Sequence, residues 1–414
     1  MTTVETTEHA REHVARLCAV RPDRRPGSAG NAAATAYVAD VLRHLDWAVH
    51  EQWFDVVDWS GEQGAVMAGR SRWPVSPSPY SLGVEAAGTL VVARTPTDLT
   101  RDLRGCVLLM LDDLAREPLT PTGYPFYRND QHAGILATLQ QQRPLVVLAG
   151  TGKAPDVAGS LDPFPLIEDG AFAVATGNLR VEPARQLAAR AGEQVHVRLP
   201  AHRWPATACN VVGTRGESHG RVLIVAHVDS KPGTPGAVDN ASGVAVLLLV
   251  AELLSEAFQH AEPRTGVELL AVNGEDYYAA SGEVAYLEQA ADHLDEIAVL
   301  VNVDGVGYRG GATGLSTYGV PDEAAAVLSA LVDRHLTVVP GPSWYQSDHM
   351  VFVPRGVPAV AATSEPLDVV LAEVAHSPHD TPDKVDPGLL TDLADLLAAL
   401  VTEGVPATTT PMAP

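Results

Sequence analysis

Several short segments of this 414-residue chain carry imidazoles and carboxylates in a pattern that suits metal binding. The run RVLIVAHV (221–228) delivers His227 and then Asp229, and the Gly/Pro loop KPGTPGAVDN brings Asp239 ahead of an apolar stretch over 241–254. GVELLAV (266–272) ends in Asn273-Gly274-Glu275-Asp276, and IAVLVNV (297–303) ends in Asp304-Gly305. Further along, HSPHDTPDKVD carries His376. Zinc takes neutral imidazole nitrogen and carboxylate oxygen, and a catalytic site keeps one position open for water. Two metals roughly 3.5–4 Å apart need a bridging carboxylate, with one His and one acid for each ion. His227, Asp239, Asp276, Asp304 and His376 make that set. Glu275, next to a ligand, is then the general base for a water.

Each piece alone has an ordinary structural reading. Asp-Asn and Asn-Gly pairs form turns, an acidic pair such as Glu275-Asp276 is normally a solvated loop end, and Asp304-Gly305 is a common exit from a strand. What distinguishes the chain is the number of such pieces and their position at the ends of apolar runs. Three other motifs are weaker. Gly216-Glu217-Ser218-His219-Gly220 fits G-x-S-x-G, but a nucleophile elbow leaves a strand and enters a helix. Here the segment leads into a strand, so a hairpin turn is expected. Gly305, Gly307 and Gly310 fit G-x-G-x-x-G without the following helix that a dinucleotide site needs; they read as a flexible loop. Asn240-Ala241-Ser242 is a formal glycosylation sequon inside the proposed site and carries no weight.

The elements that must position these residues can be read from periodicity and turn signals. Helices are predicted over 8–20, 29–46 (with Ser28 as its cap), 241–254, 321–335 and 388–402, and strands over 47–57, 221–228, 266–272, 297–303 and around 351–362. Strands alternating with helices predict an α/β fold with a mixed, mostly parallel sheet flanked by helices. In such a sheet the carboxyl ends of the strands form the ligand crevice, which is where the imidazoles and carboxylates fall. Between 60 and 204 the texture changes to short β runs such as GTLVVA, CVLLMLD and PLVVLAG, separated by Pro- and Gly-rich turns. A catalytic domain built from 1–59 and 205–404, a β-rich insertion over 60–204 and a disordered tail over 405–414 are expected.

The segments AHVDS, GAVDNASG, NGED, NVDGVG, SDHMVF and HSPHDT resemble, in order and context, the co-catalytic di-zinc aminopeptidases, a family that also holds glutamate carboxypeptidases and glutaminyl cyclases. The resemblance covers roughly 8–60 and 205–403. It implies a zinc exopeptidase fold that holds two zinc ions, other divalent metals being compatible. His227 and Asp304 then serve one ion, Asp276 and His376 the other, and Asp239 bridges them. It makes Glu275 the catalytic base and Asp229 the carboxylate that orients the His227 ring. Tyr345 of WYQSDH is a candidate donor to the tetrahedral oxyanion, and His349 a structural residue. The family often has Glu-Glu where this chain has Glu275-Asp276, and the family's Gly-Ser after that pair is not reproduced. The pattern His-Ser/Thr-x-x-Asp-Thr selects His376 over His379. The insertion resembles a protease-associated domain. The implied activity is release of N-terminal residues from peptides, with carboxypeptidase, glutaminyl cyclase and non-catalytic binding protein as alternatives.

Composition is consistent with this reading. A net charge of −23 disfavours nucleic acid and anionic membranes as partners. Cys18, Cys106 and Cys209 lack C-x-x-C spacing, so neither a disulfide framework nor a thiolate zinc site is indicated. The opening MTTVETTEHAREHVARL lacks the apolar core of a signal peptide, and no apolar run is expected to span a membrane. A cytoplasmic protein acting on peptides is expected, with the oligomeric state left open.

Overall fold

The computed structural model describes residues 3–216, 220–260 and 265–404. The expected disordered tail over 405–414 and residues 217–219 of the GESHG turn lie outside the described residues. The chain divides into two compact units, Met1–Asp55 with Thr207–Pro414, and Val56–Ala206.

The first unit is built on an eight-stranded sheet in the order Ala48–Gly61, Ala201–Arg215, Val267–Val272, Arg221–His227, Ile297–Val303, Ala359–Glu365, Ala312–Tyr318 and Val338–Pro340. Its four middle strands, Val267–Val272 to Ala359–Glu365, are mutually parallel. Arg221–His227, Val267–Val272 and Ile297–Val303 are buried at every position, as parallel strands covered on both faces require. Helices Thr3–Ala19, Ser242–Ala257 and Pro387–Glu403 pack on one another, and their Leu17, Leu247 and Leu393 join the sheet residues Ile224 and Val301 in one core. The segment Ala237–Ala257 is apolar enough by composition to cross a membrane, contrary to the sequence reading. Most of its apolar stretch is buried in this unit, and it acts as the core helix.

Several expectations need correction. Residues 351–355 are helical, as His349–Phe352 and a following 3-10 turn Val353–Arg355, and the strand begins only at Ala359. A four-residue apolar run does not separate strand from helix by period, and Pro354 and Gly356 (φ 84°) interrupt the chain before the strand can start. Strands Ala312–Tyr318 and Val338–Pro340 and helix Ser281–Ala290 were not foreseen. The segment around 216–220 does not close a hairpin either. Val267–Val272 lies between the two strands it joins, antiparallel to one and parallel to the other.

The second unit is a closed barrel of seven strands, in the order Gly64–Ala68, Ser71–Pro77, Ala175–Arg180, Val146–Thr151, Val107–Met110, Val84–Ala93 and Gln194–Leu199. These strands pair among themselves and not into the eight-stranded sheet. Along Val107–Met110, alternate residues join two apolar clusters: Val107 and Leu109 one, Leu108 and Met110 the other. The second cluster includes Ile135, Leu136 and Leu139 of helix Asp130–Gln142, which the sequence reading omitted. That helix lies in the crossover that a parallel strand pair demands.

Candidate metal centre

The parallel register brings the carboxyl ends of three strands level. His227 is the last residue of its strand and lies opposite Val272, so Asn273-Gly274-Glu275-Asp276 leaves the sheet beside it. Asp304 leaves the neighbouring strand on the other side. His227 Nε2 stands 3.2 Å from Asp304 Oδ1 and 3.3 Å from Asp239 Oδ1. The other oxygen of the same carboxylate, Asp239 Oδ2, is 3.2 Å from His376 Nε2, which is itself 3.2 Å from Asp276 Oδ1. Two triads therefore share Asp239, each with one imidazole and one further carboxylate.

Three carboxylates and two imidazoles packed this closely form an electrostatically demanding cluster. Burial opposes charge on His227, but Asp304 and then Asp229 and Asp239 outweigh it and hold the ring well above its ordinary pKa. His376 behaves alike, with burial overcome by Asp276 and Asp239. Burial works against ionisation of Asp239 too, but His227 and His376 hold it below the usual carboxylate range. Asp276 Oδ2 is buried with no hydrogen-bond partner among the described residues. Imidazolium protons and this orphan oxygen mark the places a divalent cation serves by displacing protons from its ligands. The donor set fits zinc, which accepts nitrogen and carboxylate oxygen.

The residues around the triads hold the loops in place. Asp380 accepts hydrogen bonds from Val238 N at 2.7 Å and Asp239 N at 3.0 Å, one on each oxygen. Asn240 donates to Val303 O at 2.8 Å and accepts from Gly243 N at 3.0 Å, tying the Asp239 loop to the strand that carries Asp304. Ser347 Oγ donates to Asp304 Oδ2 at 2.6 Å, and Lys231 Nζ to Asp276 O at 2.8 Å. Arg24, 1% exposed, donates to Val228 O, Pro235 O and Gly236 O at 2.6–2.7 Å, and so clamps both ends of the loop between His227 and Asp239. Arg24→Met leaves these buried carbonyls without their donors. We expect a loss of about 2–4 kcal/mol in stability, read as a lower urea midpoint at unchanged slope, with weaker metal retention.

Some sequence expectations change here. Asp229 is fully buried, but its carboxylate accepts from Gly274 N at 2.8 Å and Asp276 N at 3.1 Å. Its Oδ1 lies 3.6 Å from His227 Nδ1, beyond a hydrogen bond, whereas its backbone oxygen lies at 3.2 Å. Asp229 therefore organises the Glu275 loop, and its main chain faces the imidazole. Tyr345 is 66% exposed and sets its ring edge against Tyr318; no contact brings it to the triads among the described residues. His379 is exposed. His349 is buried between Asn302 and the carbonyl of Trp344, a structural role. The loop after Asp304 is not free: Gly305 N bonds Asn240, Tyr308 N bonds Ser364, and Gly307 O receives Asp386 N.

Glu275 is half-buried beside Asp276. Burial, and then Asp304, Asp276 and Asp239 against the opposing His227, push its carboxyl well above the usual range. A carboxyl with raised proton affinity beside the two triads can take and return a proton. Sequence reasoning did not identify Arg24, Asp380 or Ser347 as supports. Asp380 lay in view inside HSPHDT, but an acid 141 residues from Asp239 carries no signal of its partner amides.

Residues 210–401 match the model of Peptidase family M28. The Escherichia coli (strain K12) protein YfbL is 34% identical over 27% of this chain, and the chain spans about a third of that relative (36%). Aminopeptidase YwaD of Bacillus subtilis is 23% identical over 96% of this chain and 85% of its own length. Among solved structures, the aminopeptidase from Aneurinibacillus sp. strain AM-1 superposes with a TM-score of 0.73 at 20% identity, covering 98% of this chain and 96% of that one. The fold is that of the zinc aminopeptidases.

Proposed function

We propose that this chain, a member of peptidase family M28 through residues 210–401, is a zinc-dependent aminopeptidase that holds two ions and releases N-terminal residues from peptides. The observation that carries the reading is Asp239, whose two oxygens face two separate His/Asp pairs. His227 with Asp304 would hold one ion, His376 with Asp276 the other, and Asp239 both. When bound, zinc supplies Lewis acidity, which polarises a carbonyl and lowers the pKa of a water.

The remaining work falls to side chains. Glu275 removes a proton from the attacking water and returns it to the leaving amine, so the carboxyl ends the cycle as it began. Asp229 holds the backbone on both sides of Glu275 and so fixes the loop from which that carboxylate acts. The carboxylate-rich rim suits a substrate's α-ammonium. A carboxypeptidase would instead need a cation for the substrate carboxylate. Arg309 and Arg355 could serve that role, but Arg309 donates to Asp383 O and Val385 O, and Arg355 to Val351 O. A one-zinc glutaminyl cyclase has no use for a complete second pair. The Val56–Ala206 barrel is read as a protease-associated-like module, because it is a β-rich insertion at the matching point of the chain.

The test is hydrolysis of aminoacyl chromophores before and after chelation, with metal counted per chain. Two zinc ions, loss of activity on chelation and recovery on adding zinc are expected. Undiminished hydrolysis by protein shown to be metal-free would defeat the reading. Cyclisation of N-terminal glutamine without hydrolysis would favour the cyclase.

A further inference from the structure

The loops that carry Asp239 and Asp276 are both held from a segment outside the family match at 210–401. Residues 23–25 grip the first loop towards its Asp239 end. Asp23 Oδ2 accepts from Gly233 N at 2.9 Å, and Arg24 donates to Pro235 O and Gly236 O. That grip is itself held by the start of helix Ala29–His44. Ser28 Oγ donates to Asp23 O at 2.9 Å, and Asn31 Nδ2 donates to Arg24 O at 2.8 Å. The approach is close enough to require glycine at position 30, where a Cβ would collide with Asp23 O.

Asn31, 2% exposed, also donates from Nδ2 to Asn273 Oδ1. Asn273 is fully buried and opens the second loop, ahead of Gly274-Glu275-Asp276. Its own side-chain amide donates to Cys209 O and to Thr35 Oγ1, the latter at 3.0 Å, and its backbone N–H to Asn210 Oδ1 at 2.9 Å. A main-chain carbonyl can only accept, so Arg24 O and Cys209 O fix which end of each amide faces which partner. Asn31 therefore donates on both sides, to the residue that grips one metal loop and to the residue that begins the other. Asp229 and Lys231 also reach the second loop, through Gly274 N, Asp276 N and Asp276 O, but from the opening of the first loop. Asp239 lies at the other end of it, beyond Gly236.

We propose that Asn31 is a positioning residue that sets the separation of Asp239 from Asp276 by tying the grip on one loop to the base of the other. The spacing of the two ions then follows, a consequence that rests on the two-metal reading. A bridging carboxylate serves both ions only while its loop keeps register with the outer ligands, at an ion separation of roughly 3.5–4 Å. Movement of Asn31 away from either partner leaves a buried acceptor unpaired at the full desolvation cost of that group, so the tie resists displacement in both directions.

Asn31→Leu keeps the volume and removes both donors. Asn31→Ser keeps a single donor, serves one loop at a time, and carries the same comparison should the leucine variant not fold. Thr35→Val is the control, since it takes one partner from the same Asn273 amide and leaves the tie intact. Zinc binding by the full chain is measured in competition with a chelator, beside electron paramagnetic resonance of the dicobalt form, whose magnetic coupling reports the spacing of the ions. Hydrogen exchange at Gly274 and Asp276 N–H is followed in the metal-free protein, with urea midpoints as the common scale of stability. We expect the Asn31 variants to weaken the second zinc by about 10–100-fold, the scale for groups that orient ligands, and to alter the dicobalt coupling. Exchange at the two amides should quicken by about tenfold or more, although Asp229 still accepts from both. Thr35→Val should lower the urea midpoint and leave coupling and second-ion affinity near wild type. Unchanged dicobalt coupling in the Asn31 variants overturns the control of spacing, and unchanged exchange overturns the tie between the loops. Changes that Thr35→Val matches overturn both. If the wild type binds fewer than two ions, the two-metal reading fails, and exchange at the two amides still decides whether Asn31 ties the loops.

Discussion

Glu275→Gln should lower kcat by about 10²–10⁴-fold, the usual scale for loss of a general base, while zinc content and KM stay near wild type. The amide matches the carboxylate in shape but cannot accept the water's proton. Glu275 makes neither of the two shared-carboxylate triads, which use Asp276 from the same loop. Asp276→Asn is the necessary companion. It removes a charge 3.2 Å from His376 Nε2 and should release one ion, with activity recovering in part as zinc is added. Metal analysis beside single-turnover kinetics separates the two. If Glu275→Gln lost metal while Asp276→Asn kept both ions and lost activity, the roles of the neighbours would be exchanged.

Asp239→Ala should be the most damaging ligand change. It is the residue common to both triads, so its loss leaves His227 with Asp304 alone and His376 with Asp276 alone. Zinc content is expected to fall below one ion per chain. Activity should drop on the order of 10³-fold or more, since a metal contributes several kcal/mol of charge stabilisation. Asp380→Asn offers a graded comparison. The amide accepts from one of the two backbone N–H groups, Val238 or Asp239, that the carboxylate satisfies together. A support of this kind is worth about 10–100-fold in metal affinity. Retention of two tightly bound ions by Asp239→Ala would remove the bridging role.

Much of the catalytic unit was legible because its signals are local. Apolar runs such as 221–227 and 297–303 end abruptly in polar residues, and a strand buried on both faces leaves no other reading for them. Ser28 was identifiable as a cap, and its hydroxyl accepts from Asn31 N at 3.0 Å. The strand Ala312–Tyr318 was missed because its small and polar residues, ATGLSTY, lack a clear period, although pairing with Ala359–Glu365 forms it. Residues 351–352, in the helix His349–Phe352, were taken into a strand because the short apolar run 350–353 carries too little periodicity to decide.

The site divides in the same way. Residue type and position at strand ends pointed to His227, Asp276 and Asp304, and the family pattern to His376, because zinc chemistry restricts the ligand types and a parallel sheet collects its carboxyl ends on one edge. Which oxygen faces which imidazole was decided only by the tertiary structure. Asp239 serves two triads because Asp380, Asn240 and Arg24 fix its loop through groups as far as 212 residues away in sequence. Asp229 proved to hold backbone amides of the Glu275 loop as well as lying 3.6 Å from the imidazole beside it. Glu283 and Asp348 look like ordinary helix-start acids in the sequence. Folding alone removes them from water, since burial is a property of long-range packing and not of the residues themselves.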